Sequence, residues 1–84
     1  MTGLTLYHTS GCHLCEEAVA LTQACMAAKG MKLDCLDLEE ISEDADLLER
    51  YGLLIPVLRI ADTEQELNWP FGLPEIQHFL NGCV

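Results

Sequence analysis

The chain has 84 residues, with 14 acidic against four basic side chains and a formal net charge of −10. Half of the residues are hydrophobic, enough for one modest core in a single domain, residues 1–84, and too many for a disordered chain. The basic residues Lys29, Lys32, Arg50 and Arg59 are scattered. No cationic cluster is therefore available to hold a nucleic acid or an anionic membrane surface. No apolar run reaches the roughly 18 residues of a membrane-spanning helix. Met1-Thr2-Gly3-Leu4 lacks the basic start of a secretory leader, so a cytosolic protein is expected. Nothing in the sequence calls for an obligate dimer, and a monomer is expected.

Leu4 to His8 alternates, with Leu4, Leu6 and His8 on one side and Thr5 and Tyr7 on the other, as in a short strand. Thr9-Ser10-Gly11 breaks it. Helix formers fill Cys12 to Lys29, where Leu14, Ala18, Leu21, Cys25 and Ala28 recur at helical steps. Cys15, Val19, Thr22 and Met26 form an adjacent stripe, Glu16 and Glu17 suit the first turn, and Gly30 suits the stop. Met31 to Leu38 reads as a second strand with Leu33, Cys35 and Leu36 as its apolar content. Ser42 is the expected cap of a second helix that turns Leu47, Leu48 and Tyr51 inward and stops at Gly52. After Ile55-Pro56, Val57 to Ala61 is a strand; Asp62 to Gln65 turns, and Glu66 to Trp69 returns as a hairpin partner. Pro74 fits the first position of a last helix that runs to Leu80 and closes at Asn81-Gly82.

The order β-α-β-α-β-β-α predicts an α/β domain: a parallel crossover unit, then a hairpin and a helix. The four-stranded mixed sheet would carry helices on both faces. This is the pattern of a thioredoxin-like fold in its smallest, glutaredoxin-sized form.

Five cysteines, Cys12, Cys15, Cys25, Cys35 and Cys83, are an odd count for a disulfide framework. Cys25 and Cys35 fall on core faces, where a thiol behaves as a small hydrophobe. Cys83 lies in the tail and is expected to be a free thiol. Cys12-His13-Leu14-Cys15 is different, because it follows a strand and a Gly11 loop at the start of a helix. Free N–H groups and the helix dipole there lower a thiol's pKa from about 8.5 toward neutrality. Residues three apart share one helix face, so a small adjustment closes a disulfide. Cys12, the outer residue, would attack a substrate disulfide, and Cys15 would resolve the mixed disulfide. A protonated His13 would favour the Cys12 thiolate, whereas Glu16 and Glu17 would oppose it. His13 is equally readable as an exposed surface residue, and His78 as a surface residue of the last helix.

Tyr7-His8-Thr9-Ser10-Gly11-Cys12-His13-Leu14-Cys15-Glu16-Glu17-Ala18 resembles the active-site segment of the small glutaredoxin-like proteins of the thioredoxin-fold superfamily. Arg50-Tyr51-Gly52, Ile55-Pro56-Val57-Leu58 and Trp69-Pro70-Phe71 resemble the same family's second half, so the likeness spans nearly the whole chain. The resemblance implies that Ile55-Pro56 is cis beside the cysteines and that the backbone of Ile55 pairs with the substrate chain. Trp69 would line the substrate groove or pack as structure. Glutathione-using glutaredoxins carry Pro-Tyr between the cysteines, a Lys just before them and a late Gly-Gly pair. Here stand His13-Leu14, Thr9-Ser10-Gly11 and Phe71-Gly72-Leu73-Pro74. The cationic anchor for an anionic tripeptide is missing, which argues against glutathione as the reductant.

The expected function is thiol–disulfide exchange, with Cys12 as nucleophile and Cys15 as resolving thiol. Substrate contacts fall to His13, Ile55, Pro56 and Trp69. Its partners would be a disulfide-containing protein or small molecule and an unidentified reductant; no cofactor is expected beyond the Cys12–Cys15 disulfide. Two other readings stand beside it. One is a thioredoxin-fold interaction module without efficient turnover. The other is a metal or iron–sulfur carrier through Cys12 and Cys15, joined by His8, His13 or a second subunit, because one CxxC supplies half of a four-ligand site.

Overall fold

The structure is a computed structural model that describes residues 3–61 and 63–81. The expectations for Gly82 and Cys83 lie outside these residues. Strand β1 (Leu4–His8) buries Leu4 and Leu6 on one face and Tyr7 on the other. It is flanked on both sides, so both of its faces need apolar side chains. Helix α1 (His13–Ala28) buries Cys15, Ala18, Thr22, Cys25 and Met26. The centre of its apolar face therefore falls between the two expected stripes, and Leu14 and Ala28 turn to solvent. The one buried hydroxyl on that face is satisfied inside the helix, where Thr22 Oγ1 donates to the Ala18 carbonyl at 2.7 Å. Gly30, at φ 73°, ends α1: its N–H donates to Ala27 and that of Met31 to Met26.

The starts of β2 and α2 differ most from the sequence reading. Leu33–Cys35 forms a 3-10 turn, and β2 is Leu36–Glu40. The parallel ladder begins only where β1 begins, with Leu36 opposite Leu4 and Glu40 opposite His8. Asp37, Glu39 and Glu40 weaken the strand signal, yet they are tolerated because β2 is an edge strand whose side chains mostly face water. Helix α2 (Ala45–Tyr51) is capped by Asp44, whose carboxylate accepts from the Leu47 N–H at 3.1 Å. Ser42 instead donates its N–H and hydroxyl to Glu40, at 2.7 and 2.9 Å. Leu48, expected inside, faces outward, while Leu47 and Tyr51 lie against the sheet.

Strands β3 (Val57–Ile60) and β4 (Glu66–Asn68) form the hairpin, and α3 (Leu73–Leu80) starts one residue before Pro74 with Gly72 as its cap. The sheet order is β2-β1-β3-β4, with β1 and β2 parallel and the other pairs antiparallel. Helices α1 and α3 cover the face that carries Leu4, Leu6, Leu58 and Ile60. Helix α2 covers the other, where Tyr51 joins Tyr7, Ile41 and Val57. Tyr51 stacks on Tyr7 with ring centroids 4.3 Å apart, and its hydroxyl donates to the Glu66 carboxylate. Burial, together with that carboxylate, pushes the Tyr51 phenol up to about 12. Among the described residues no helix is long and apolar enough to cross a membrane.

Candidate functional site

The chain leaves β1 at His8 and reaches α1 through Thr9-Ser10-Gly11. Gly11 adopts φ 76°, a conformation that costs a residue with a Cβ but not glycine. This bend places Cys12 as the cap residue of α1. Its Sγ accepts the Cys15 N–H at 3.2 Å, one of the free donors of the first turn. Cys12 and Cys15 are joined in a disulfide, with Cα atoms 5.2 Å apart, inside the range such a bridge requires. Cys15 is buried, whereas Cys12 is half-exposed. Cys12 is thus the more accessible of the pair.

The loop before Cys12 is anchored by a residue that sequence reasoning missed. The carboxylate of Glu40, at the end of β2, accepts from the Ser10 hydroxyl at 3.0 Å as well as from Ser42. The Ser42 N–H and hydroxyl, then the Ser10 hydroxyl, hold its carboxyl down to about 2. Two serines flanking an acidic strand end carry no recognisable motif, so only the fold reveals this clasp. Next to it, an open cavity of about 340 Å³ adjoins Cys12 and Cys15 and is lined further by His8, Ser10, Glu16, Val19 and Leu38.

The other expected site residues gather elsewhere. His13 is the exposed first residue of α1, 3.9 Å from Glu16 and 3.6 Å from Glu17. Ile55-Pro56 is cis, as the resemblance implies, and so is Trp69-Pro70. Val57 opposes Tyr7 in the antiparallel ladder, so Pro56 lies at the same end of the sheet as the cysteine loop. Pro56 is fully buried, and its carbonyl accepts the Trp69 N–H at 3.3 Å. The Ile55 N–H donates to Tyr51 at 3.0 Å, which leaves its carbonyl as the backbone group with pairing capacity to spare. Trp69 packs edge-on against Phe71 and onto the core of the α1 face. None of Ile55, Pro56 and Trp69 lines the cavity that both cysteines share.

Cys25 is buried, with its thiol 3.7 Å from the Leu73 carbonyl. Burial pushes that thiol up, against a smaller downward pull from Lys29. Cys35 is half-buried against the same core. Among the described residues no group of three or more His, Cys, Asp and Glu side chains is arranged to hold a metal ion.

A four-stranded mixed sheet with three helices, and a paired-cysteine turn at a helix N-terminus, define a small thioredoxin-like protein. The chain matches the family model of the glutaredoxin-like domain (DUF836) over residues 3–81 and belongs to that family. Two solved structures are similar, both of the Northeast Structural Genomics target protein XcR50 from X. campestris. The X-ray structure is 36% identical with a TM-score of 0.75, covering 95% of this chain and 97% of that one. The solution structure is 37% identical with a TM-score of 0.73, covering 95% and 94%. No curated protein matches the chain.

Proposed function

We propose that the protein is a thiol–disulfide oxidoreductase that reduces protein or small-molecule disulfides through the Cys12–Cys15 dithiol. The observation that carries this reading is the placement of the pair. An accessible Cys12 caps α1, with a first-turn N–H on its sulfur, and a buried Cys15 is close enough to close the ring. In the reduced protein the same N–H groups favour the Cys12 thiolate. That thiolate attacks one sulfur of the substrate, whose S–S bond breaks, and the other sulfur leaves as a thiolate and takes a proton from water. Cys15 then loses its proton and attacks Cys12, and the second substrate sulfur leaves. Two electrons pass from the dithiol to the substrate, and a thiol reductant restores Cys12 and Cys15. The Ile55 carbonyl, with Trp69 nearby, pairs with the backbone of the substrate chain as it leaves the disulfide.

Trapping tests the reading. Cys15→Ser should accumulate a Cys12 mixed disulfide with substrate, and Cys12→Ser should trap little. A Cys15→Ser protein that keeps full activity with glutathione would overturn the dithiol mechanism in favour of a monothiol one.

A further inference from the structure

The disulfide has a second approach besides the cis-proline side. Between α1 and the edge strand β2 lies the open cavity of about 340 Å³ that both cysteines line. Its apolar walls are Val19 of α1 and Leu38 of β2, and Leu38 remains 50% exposed. An apolar side chain entering here would cover Leu38 and lie beside the sulfur under attack.

Two carboxylates flank this opening, and Lys32 stands at the other end of β2, before Leu33–Cys35. Glu16 lines the opening, and Glu40, on the same face of β2 as Leu38, binds the lining residue Ser10. The strong hydrogen bonds to Glu40 keep its carboxylate ionised throughout the neutral range. Among the described residues no Lys or Arg lines the cavity, and His8 is its one basic side chain. Lys29 caps the far end of the 16-residue α1, about 24 Å away along the helix. Arg50 lies over the Tyr51 ring and Arg59 donates toward the Tyr7 hydroxyl, so both are committed to the opposite face of the sheet. Carboxylates at the rim of a concave site concentrate cationic ligands.

We propose that substrate disulfides enter from the β2 side and that their bearer is a cationic polypeptide segment with an apolar residue next to its cysteine. This rests on the oxidoreductase reading and names its substrate class. The apolar residue seats between Val19 and Leu38, and the cationic one faces Glu16 and Glu40. Glutathione, a net anion without an apolar side chain, is selected against by both features.

The test offers the reduced full-length protein three blocked tripeptide disulfides. All share leucine and cysteine, and the third residue is lysine, glutamine or glutamate; release of free peptide thiol gives the rates. The lysine peptide should react roughly tenfold faster than the glutamate peptide at low ionic strength, with the gap nearly closed at about 1 M salt. Leu38→Arg should erase the preference, whereas Leu54→Arg, on the loop before Pro56, should leave it. Both positions are about half-exposed, at 50% and 47%, so neither change disturbs the core. Equal rates for the three peptides, or a preference moved by Leu54→Arg and not by Leu38→Arg, would overturn the proposal while leaving the oxidoreductase reading intact. Failure of all three peptides to react would overturn both.

Discussion

At the scale of residues, chemically similar cysteines are separated by their surroundings. Cys12 has an N–H on its sulfur and access to solvent, which favour the thiolate once the disulfide is reduced. Cys25 is enclosed by the core and its thiol is held up by burial, so it stays protonated and shielded near neutral pH. Limited alkylation of the reduced protein near pH 7 should therefore label Cys12 first; labelling of Cys25 ahead of it would contradict the argument. Glu40 makes a second prediction. Its folded carboxyl sits at about 2, below the ordinary 4.5, so its contribution is complete above pH 4.5 and is lost as pH falls toward 2. Thermal melts of Glu40→Gln should show a lower Tm at neutral pH. The difference from the native protein should shrink on acidification through that window, and a constant difference would show that the clasp does not depend on the charge.

At the scale of elements, the two ends of α2 show where sequence reasoning succeeds and where it fails: Gly52 closes the helix as read, whereas the cap is Asp44 and not Ser42. Ser42 and Asp44 are both good caps by residue type, and the choice between them depends on what else competes for Ser42. Glu40 takes Ser42, so Asp44 holds the helix. Asp44→Ala should lower stability by about 1 kcal/mol in denaturant unfolding through loss of the cap. Loss of α2 helicity in Ser42→Ala but not in Asp44→Ala, seen by NMR chemical shifts, would reverse that assignment. β1, α1 and α3 were legible because each buries a regular set of apolar residues against several neighbours. β2 was legible as a strand but not in its bounds, because an edge strand with one partner can carry Asp and Glu, and its start is fixed by β1 rather than by its own residues.

At the scale of the molecule, a parallel β1–β2 pair and an antiparallel β1–β3 pair bring two loops to one end of the sheet. One carries Cys12 and the other Pro56, 44 positions later in the chain. The cysteine half of this site was legible in a strand, a glycine and a CxxC at a helix start. The proline half came only with the family resemblance, since backbone isomer is not encoded in local pattern. The Glu40 clasp and the Leu38 cavity wall were invisible, because both depend on the register of β2 against β1.

The central claim, that Cys12 and Cys15 form a working dithiol couple, is tested most directly by a redox titration of the intact protein. Samples equilibrated across thiol–disulfide buffers are quenched by alkylation, and mass spectrometry with peptide mapping counts the thiols at each position. The account predicts one reversible two-electron transition confined to Cys12 and Cys15, with a potential between about −270 and −200 mV, where the reducing dithiol proteins lie. Cys25 should stay reduced throughout. A Cys12–Cys15 pair that remains a dithiol, or remains a disulfide, over the whole range of buffers would contradict it.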